Sequence, residues 1–201
     1  MSRAPLRLDE PTLARAVRVL ARAEPRFAHI VKRHGPPPLW PREPGFQTLV
    51  LLMLEQQVSL AQGRAMYERI ANATGTPTPA NVARLGESGL RALGVTRQKS
   101  SYLAALATQL EEKAVDLDAL GTLSDVDADA ALDALRGVGP WTAQCYLLFA
   151  LRRADVFPAA DLAFARPAIT ELLAYPGQDD MSFGREGTTH LDAGAAERRD
   201  A

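Results

Sequence analysis

The stretch from Leu132 to Leu148, LDALRGVGPWTAQCYLL, holds two apolar segments with helical spacing that are joined by a Gly-Val-Gly-Pro turn. Gly137 can take the left-handed backbone conformation that closes a helix, and Pro140 can start the next one because the first helical amides need no intrahelical acceptor. Gly139 lets an anion approach the backbone, where the first amides of a helix favour negative charge. The stretch therefore predicts a tight helical hairpin that binds a phosphate. A tight connection without any ligand fits the same residues.

Helical spacing and helix boundaries recur along the rest of the chain, and no segment shows the sustained alternation of a strand. The predicted helices cover about 9–24, 25–34, 46–58, 60–70, 96–114, 125–135 and 140–151, with short helices around 80–93 and a last one from Asp161 to about 175. Ser59 is predicted to cap the helix that follows it. Three consecutive prolines at 36–38 predict a stiff connector. We predict an all-α fold with two helical lobes and a cleft between them.

Composition narrows the possible classes of protein. With 201 residues, 47% of them hydrophobic, the chain suffices for one helical domain over residues 1–176, and the polar residues 177–201 are expected to form a disordered tail. It has no apolar run of membrane-spanning length and no secretory signal, so we expect a cytoplasmic protein. One cysteine excludes an iron-sulfur cluster and an all-cysteine zinc site, and the three histidines are too scattered to suggest a zinc site. A net charge of −1 argues against binding DNA mainly through a basic surface.

A second motif, RADVFPAAD at residues 153–161, follows the hairpin. It reads as a loop that ends in an acid at the first turn of a new helix. Asp161 fits an ordinary helix N-cap. The helix dipole would also keep this carboxylate ionised, which is the form that stabilises a positive charge developing on a sugar. The two roles are compatible.

Together, LRGVGPWTA and DVFPAAD resemble the hairpin and the catalytic loop of the helix-hairpin-helix (HhH-GPD) DNA glycosylase superfamily. Within it, EQQVSLAQGRAMYERI (55–70) and GPWTAQCYLLFAL (139–151) are most similar to 3-methyladenine DNA glycosylase II. The similarity covers about residues 10–175. It implies that Asp161 is the catalytic aspartate. The residues that it implies at the phosphate-binding hairpin are Gly137, Val138, Gly139 and Thr142.

The resemblance also implies roles for the neighbouring residues. Backbone carbonyls, here of Leu135 and Val138, would hold a structural Na⁺ or K⁺. Gln57 matches the side chain that wedges into the duplex where a base has been extruded. Trp141 stands where bifunctional relatives carry a nucleophilic lysine, which implies an enzyme without lyase activity. Trp141 could stack on the extruded base or simply pack in the core, and Cys145 reads as a small core residue that could line the same pocket.

The implied function is hydrolysis of the N-glycosidic bond of alkylated purines, of the 3-methyladenine and 7-methylguanine class, during base excision repair. Double-stranded DNA with alkylated bases would be the partner of a monomeric enzyme that needs no cofactor. Two alternatives stay open: a non-catalytic hairpin module that only binds DNA, and an inactive, truncated glycosylase. The second arises because residues 177–201 lack the Trp-bearing apolar helix that relatives usually carry there.

Additional phosphate contacts could come from three basic side chains, Arg97, Lys99 and Arg136. Such side chains more often lie on the surface in contact with solvent only. Arg97 and Lys99 lie within LRALGVTRQKSSYL at 90–103, a segment that also resembles a helix-hairpin-helix.

Overall fold

The computed structural model describes residues 5–158, and the predicted helix from Asp161 and the predicted tail at 177–201 lie outside this range. Within it the chain is helical, as predicted, and the one β-type contact is an isolated antiparallel bridge between Arg7 and Arg153. The α-helices are α1 (Glu10–Ala23), α2 (Pro25–His34), α3 (Phe46–Glu55), α4 (Leu60–Thr74), α5 (Pro79–Ala92), α6 (Arg97–Glu111), α7 (Asp125–Asp133) and α8 (Pro140–Cys145). A 3₁₀ turn covers Ala119–Thr122 and a π-helical segment covers Tyr146–Ala150. None of the helices in this part of the chain is long and apolar enough to span a membrane.

The described residues divide into two compact units. Residues 14–37 belong to the smaller unit and hold most of α1 together with α2. There the Glu24 carboxylate caps α2 by accepting a hydrogen bond from the Arg26 amide at 3.1 Å. The Arg26 guanidinium binds the same carboxylate at 2.7 Å and lowers the pKa of Glu24 to about 2. Charge pairing and capping thus define where α2 begins.

Residues 5–13 and 38–158 form the larger unit, whose core is centred on α3. Leu49 and Val50 of α3 are fully buried, and the helix contacts α4, α6 and α8. A helix surrounded in this way must be apolar on nearly every face, which explains the run FQTLVLLML. The sequence predicts that this helix and the one after it form the centre of the core; α3 does so, whereas α4 buries only Gly63 and Ile70.

The predicted helix starts hold to within one residue, whereas several predicted ends do not; α4, for example, runs to Thr74 and not to Ile70. Ser59 caps α4 in a capping box, since its hydroxyl accepts from the Gln62 amide at 3.2 Å and its own amide donates to the Gln62 side chain at 3.1 Å. The prediction that α3 continues to Val58 is wrong, because the helix ends at Glu55. The single helix predicted for 140–151 is also wrong, since α8 ends at Cys145 and continues as the π-helical segment.

Candidate nucleic-acid interface

The hairpin between α7 and α8 has the backbone geometry that its glycines predicted. Gly137 has φ +87°, in the left-handed region, and the Val138 amide donates to the Leu135 carbonyl at 3.0 Å to close the turn. Val138 itself is buried. A Cβ atom on Gly137 would lie 2.6 Å from Tyr102 Cβ and 2.7 Å from Met53 Cε. The turn is therefore pressed against α6 and α3, and only glycine fits at position 137.

Gly139 differs from Gly137 in its surroundings. Its backbone is extended, with φ −94° and ψ 177°, and it precedes Pro140 at the start of α8. Among the described residues, no atom lies within 4 Å of the place that a Cβ on Gly139 would take. The first amides of a helix have no intrahelical acceptor, and the amide of Trp141 is among these at the start of α8. Within residues 5–158, nothing blocks a phosphate from approaching Gly139 on this side.

The loop between α3 and α4, called the wedge loop below, carries Gln57, the residue predicted to wedge into the duplex. Gln57 has φ +58°, a left-handed conformation that is uncommon for residues other than glycine, and it is exposed. Two apolar side chains that follow it are also exposed, Val58 by 43% and Leu60 by 68%. The residues at 57–60 thus present two polar and two apolar side chains to the outside of the protein.

Gln56 joins this loop, residues 56–58, to the hairpin. Its Nε2 group donates to Thr142 Oγ1 at 2.8 Å and to the Gly137 carbonyl at 3.4 Å. Thr142 is buried, backbone included, so its hydroxyl braces the two loops from within, and its predicted phosphate contact stays a prediction. Sequence reasoning placed Thr142 at the hairpin but missed Gln56, because nothing in the pair Gln56-Gln57 tells which side chain turns inward.

Lys99 does not point out to solvent as a free phosphate contact would. Its ammonium donates to the carbonyls of Leu54 at 2.7 Å and Gln56 at 2.8 Å, at the end of α3. Burial lowers the pKa of this side chain. The interpretation of Lys99 as a phosphate-binding residue is therefore replaced by an internal role. Arg97 and Arg136 stay exposed.

Trp141 is partly buried and packs against the core, and Cys145, one turn further along α8, is almost fully buried. Cys145 thus sits where a small core residue was predicted. The roles of both residues in holding a base stay predictions. Asp161 lies outside the described residues, and the structure describes the chain up to Pro158, three positions before it.

Arg153 anchors the segment that leads towards position 161. Its guanidinium is fully buried and donates to the carbonyls of Leu120 at 2.9 Å and Leu123 at 3.0 Å, and to Asp125 Oδ1 at 3.0 Å. Sequence reasoning missed this residue, because an arginine in a loop is usually solvated. The only signal was its position inside the RADVFPAAD motif.

Replacement of Arg153 by methionine should lower the free energy of unfolding by about 3 kcal/mol, since it leaves buried acceptors without their charged donor. Urea denaturation followed by circular dichroism measures this loss. The matched control is Arg152→Met, because Arg152 is the exposed neighbour and its substitution removes the same charge. Equal unfolding midpoints for the two variants would show that the buried bonds contribute nothing.

Comparison with known proteins agrees with this geometry. The family described as "HhH-GPD superfamily base excision DNA repair protein" matches residues 50–181. A putative DNA-3-methyladenine glycosylase of Bacillus subtilis, YfjP, is 29% identical over 141 residues, covering 66% of this chain and 49% of that protein. The DNA-3-methyladenine glycosylase of Saccharomyces cerevisiae is 29% identical over 136 residues, covering 60% of this chain and 44% of that protein. The chain spans about half the length of these curated relatives.

Solved structures have the same fold. The DNA-3-methyladenine glycosidase of Bacillus halodurans superposes with a TM-score of 0.66 at 27% identity, covering 81% of this chain and 74% of that one. The Schizosaccharomyces pombe 3-methyladenine DNA glycosylase Mag1, solved in complex with abasic DNA, superposes with a TM-score of 0.68 at 24% identity. That superposition covers 74% of this chain and 76% of Mag1, and at this identity it shows the fold alone.

Proposed function

The chain belongs to the HhH-GPD superfamily of base excision DNA repair proteins, and we propose that it is a monofunctional DNA glycosylase for alkylated purines. The observation that carries the proposal is the direct link between a phosphate-accessible hairpin and an exposed wedge loop, made by Gln56. An enzyme that acts on a base must take it out of the stack, hold the backbone at that place and fill the gap. These two loops supply a group for each of the last two tasks.

The proposed reaction is hydrolysis at C1′ of the extruded nucleotide. The bond from C1′ to the base nitrogen breaks, its electron pair leaves with the base, and a water oxygen bonds to C1′ while a water proton is lost. A purine alkylated at N3 or N7 carries a positive charge and departs as a neutral base, so it needs no strong general acid. The main requirement is an ionised carboxylate beside the oxocarbenium-like sugar, and we assign this role to Asp161.

The proposed absence of lyase activity rests on Trp141. A bifunctional enzyme forms a Schiff base between an amine and C1′ of the sugar. An indole cannot do so, but it can stack on an electron-poor, cationic base. Trp141 packs against the core and is only partly buried, which is compatible with such a contact.

The hairpin is also the proposed place of a monovalent cation. The carbonyls of Leu135 and Val138 would hold Na⁺ or K⁺, and the ion would add positive charge where a phosphate approaches. The residues fit in one respect: the carbonyl of Leu135 accepts a single amide, that of Val138, within the turn, and a carbonyl oxygen has two lone pairs. We further propose that the enzyme acts as a monomer in the cytoplasm.

The proposal is tested with duplex DNA that carries tritiated methyl groups. We expect incubation with the protein to release ethanol-soluble radioactivity and to leave abasic sites that break only after alkali treatment. Strand breaks without alkali, together with a product trapped by borohydride, would indicate a lyase. Binding to the methylated duplex without any release would favour the non-catalytic or inactive alternatives.

Alanine in place of Gln57 should slow base release from duplex DNA by about tenfold or more, because the gap left by the extruded base then stays unfilled and base stacking is worth about 1–3 kcal/mol. Release from single-stranded methylated DNA should hardly change, since no stack has to be opened there. Single-turnover rates on the two substrates give the comparison. An equal loss on both would assign Gln57 to the chemical step instead of the wedge.

A further inference from the structure

We propose that Lys99 and Gln56 are positioning residues that hold the wedge loop, residues 56–58, in place against the hairpin. This inference rests on the proposed function, because it concerns how the wedge meets the opened duplex. Both residues are half-buried, and the polar end of each side chain binds protein atoms. The Gln56 side chain binds the hairpin, and Lys99 of α6 binds the carbonyls of Leu54 and Gln56 at the end of α3.

The backbone of Gln57 is strained. A residue with a side chain at φ +58° carries a conformational penalty of about 1–2 kcal/mol, and such a conformation persists only where its surroundings impose it. Position 57 follows the end of α3, where the backbone of Gln56 becomes extended with ψ 126°. Something must therefore fix the chain on both sides of Gln57.

The contacts on both sides are clear. After Gln57, the Ser59 capping box starts α4. Before Gln57, the Lys99 ammonium binds the carbonyls of Leu54 and Gln56, at the C-terminal end of α3, which favours a cation. The Gln56 side chain binds Thr142 and the Gly137 carbonyl. Gln57 is thus held at the tip of a loop that Gln56 ties to the hairpin and Lys99 ties to α6.

The second hairpin-like segment explains how Lys99 comes to this position. Gly94 has φ +89°, nearly the same as Gly137, and Val95 after it is buried, as Val138 is. Thr96 then caps α6 by accepting a hydrogen bond from the Lys99 amide at 3.4 Å. The repeat at 90–103 therefore starts α6 at a fixed point and presents Lys99 to the end of α3.

Burial makes the two bonds of Lys99 stronger. The ammonium has lost part of its hydration, which lowers its pKa, and charged hydrogen bonds are worth more away from water. Methionine has a similar length but no donor. The Lys99→Met variant should therefore free the Leu54 and Gln56 carbonyls without creating a large cavity.

The experiment uses the whole chain and a duplex with a tetrahydrofuran abasic analogue opposite 2-aminopurine, with a dye at one end. Dye anisotropy gives the Kd, and 2-aminopurine emission reports insertion of Gln57. We expect Lys99→Met to weaken binding by about tenfold and to remove most of the emission change, as loss of charged hydrogen bonds implies. In the Gln57→Ala background the same substitution should have almost no further effect on Kd, because the two act through one group.

The matched control is Lys113→Met, the same substitution at an exposed lysine, which should leave Kd and emission unchanged. Should Lys99→Met fail to fold, Gln56→Leu removes the side-chain bonds to Thr142 and Gly137 and should give the same pattern. Losses that add fully to those of Gln57→Ala, or an emission change that survives in the variants, would overturn the inference. The binding and emission measurements need no catalysis. A protein that inserts Gln57 but releases no base would therefore refute the proposed function and leave the roles of Lys99 and Gln56 standing.

Discussion

Alanine at position 137 should destabilise the protein by about 3 kcal/mol and lower its Tm by roughly 10 °C. Two effects add up at this site. A Cβ is disfavoured at φ +87° by about 1 kcal/mol, and the same atom would lie 2.6 Å from Tyr102 Cβ, a position that no rotamer change can relieve. Calorimetry or thermal denaturation followed by circular dichroism measures the shift. DNA binding should weaken as well, because the hairpin must move away from α6.

Gly139→Ala provides the control for this prediction. The same methyl group two positions away meets no described atom within 4 Å, and φ −94° is allowed for any residue. Its effect on stability should be less than about 1 kcal/mol, the loss expected at a helix cap. It should nevertheless weaken DNA binding, since the methyl group occupies the space where a phosphate approaches. If both variants melted at the same temperature, the packing of Gly137 would be less tight than its geometry indicates.

Asparagine at position 161 should reduce base release by about a thousandfold or more, since it removes the negative charge proposed to stabilise the sugar cation. Affinity for the duplex should change little, because the amide keeps the shape of the side chain. Single-turnover release of methylated purines and a binding isotherm on the same DNA give the two numbers.

Asp155→Asn is the matched control for this substitution. Asp155 is an exposed aspartate in the same 153–161 segment, so its variant loses the same charge near the same place in the sequence. It should release bases at the parental rate. Parental activity in the Asp161 variant would assign catalysis to another group, whereas equal losses in both variants would point to the charge of the whole segment.

Much of the fold follows from local signals in the sequence. Ser59 and Thr96 stand at helix caps, and Gly137 stands where a tight turn needs a left-handed residue, so short-range chemistry defines these places. The apolar run from Phe46 likewise predicts a helix buried on every side.

What the sequence could not provide are the long-range polar contacts. The end of α3 depends on Lys99, which is 45 residues from Leu54 along the chain, and no periodicity in 46–58 reveals it. Arg153 is buried because carbonyls of the segment before α7 surround it, an arrangement visible only in three dimensions. The π-helical segment after Cys145 is equally hidden, since its residues are ordinary helix formers.

The most direct test is chromatographic identification of the bases released from methylated duplex DNA by the parental protein and by its Asp161→Asn variant. We expect 3-methyladenine or 7-methylguanine in equal number to the new abasic sites with the parental protein, and none above background with the variant. A parental protein that binds this DNA and releases no purine, or a variant that releases as much as the parent, would show that the chain is not a glycosylase that works through Asp161.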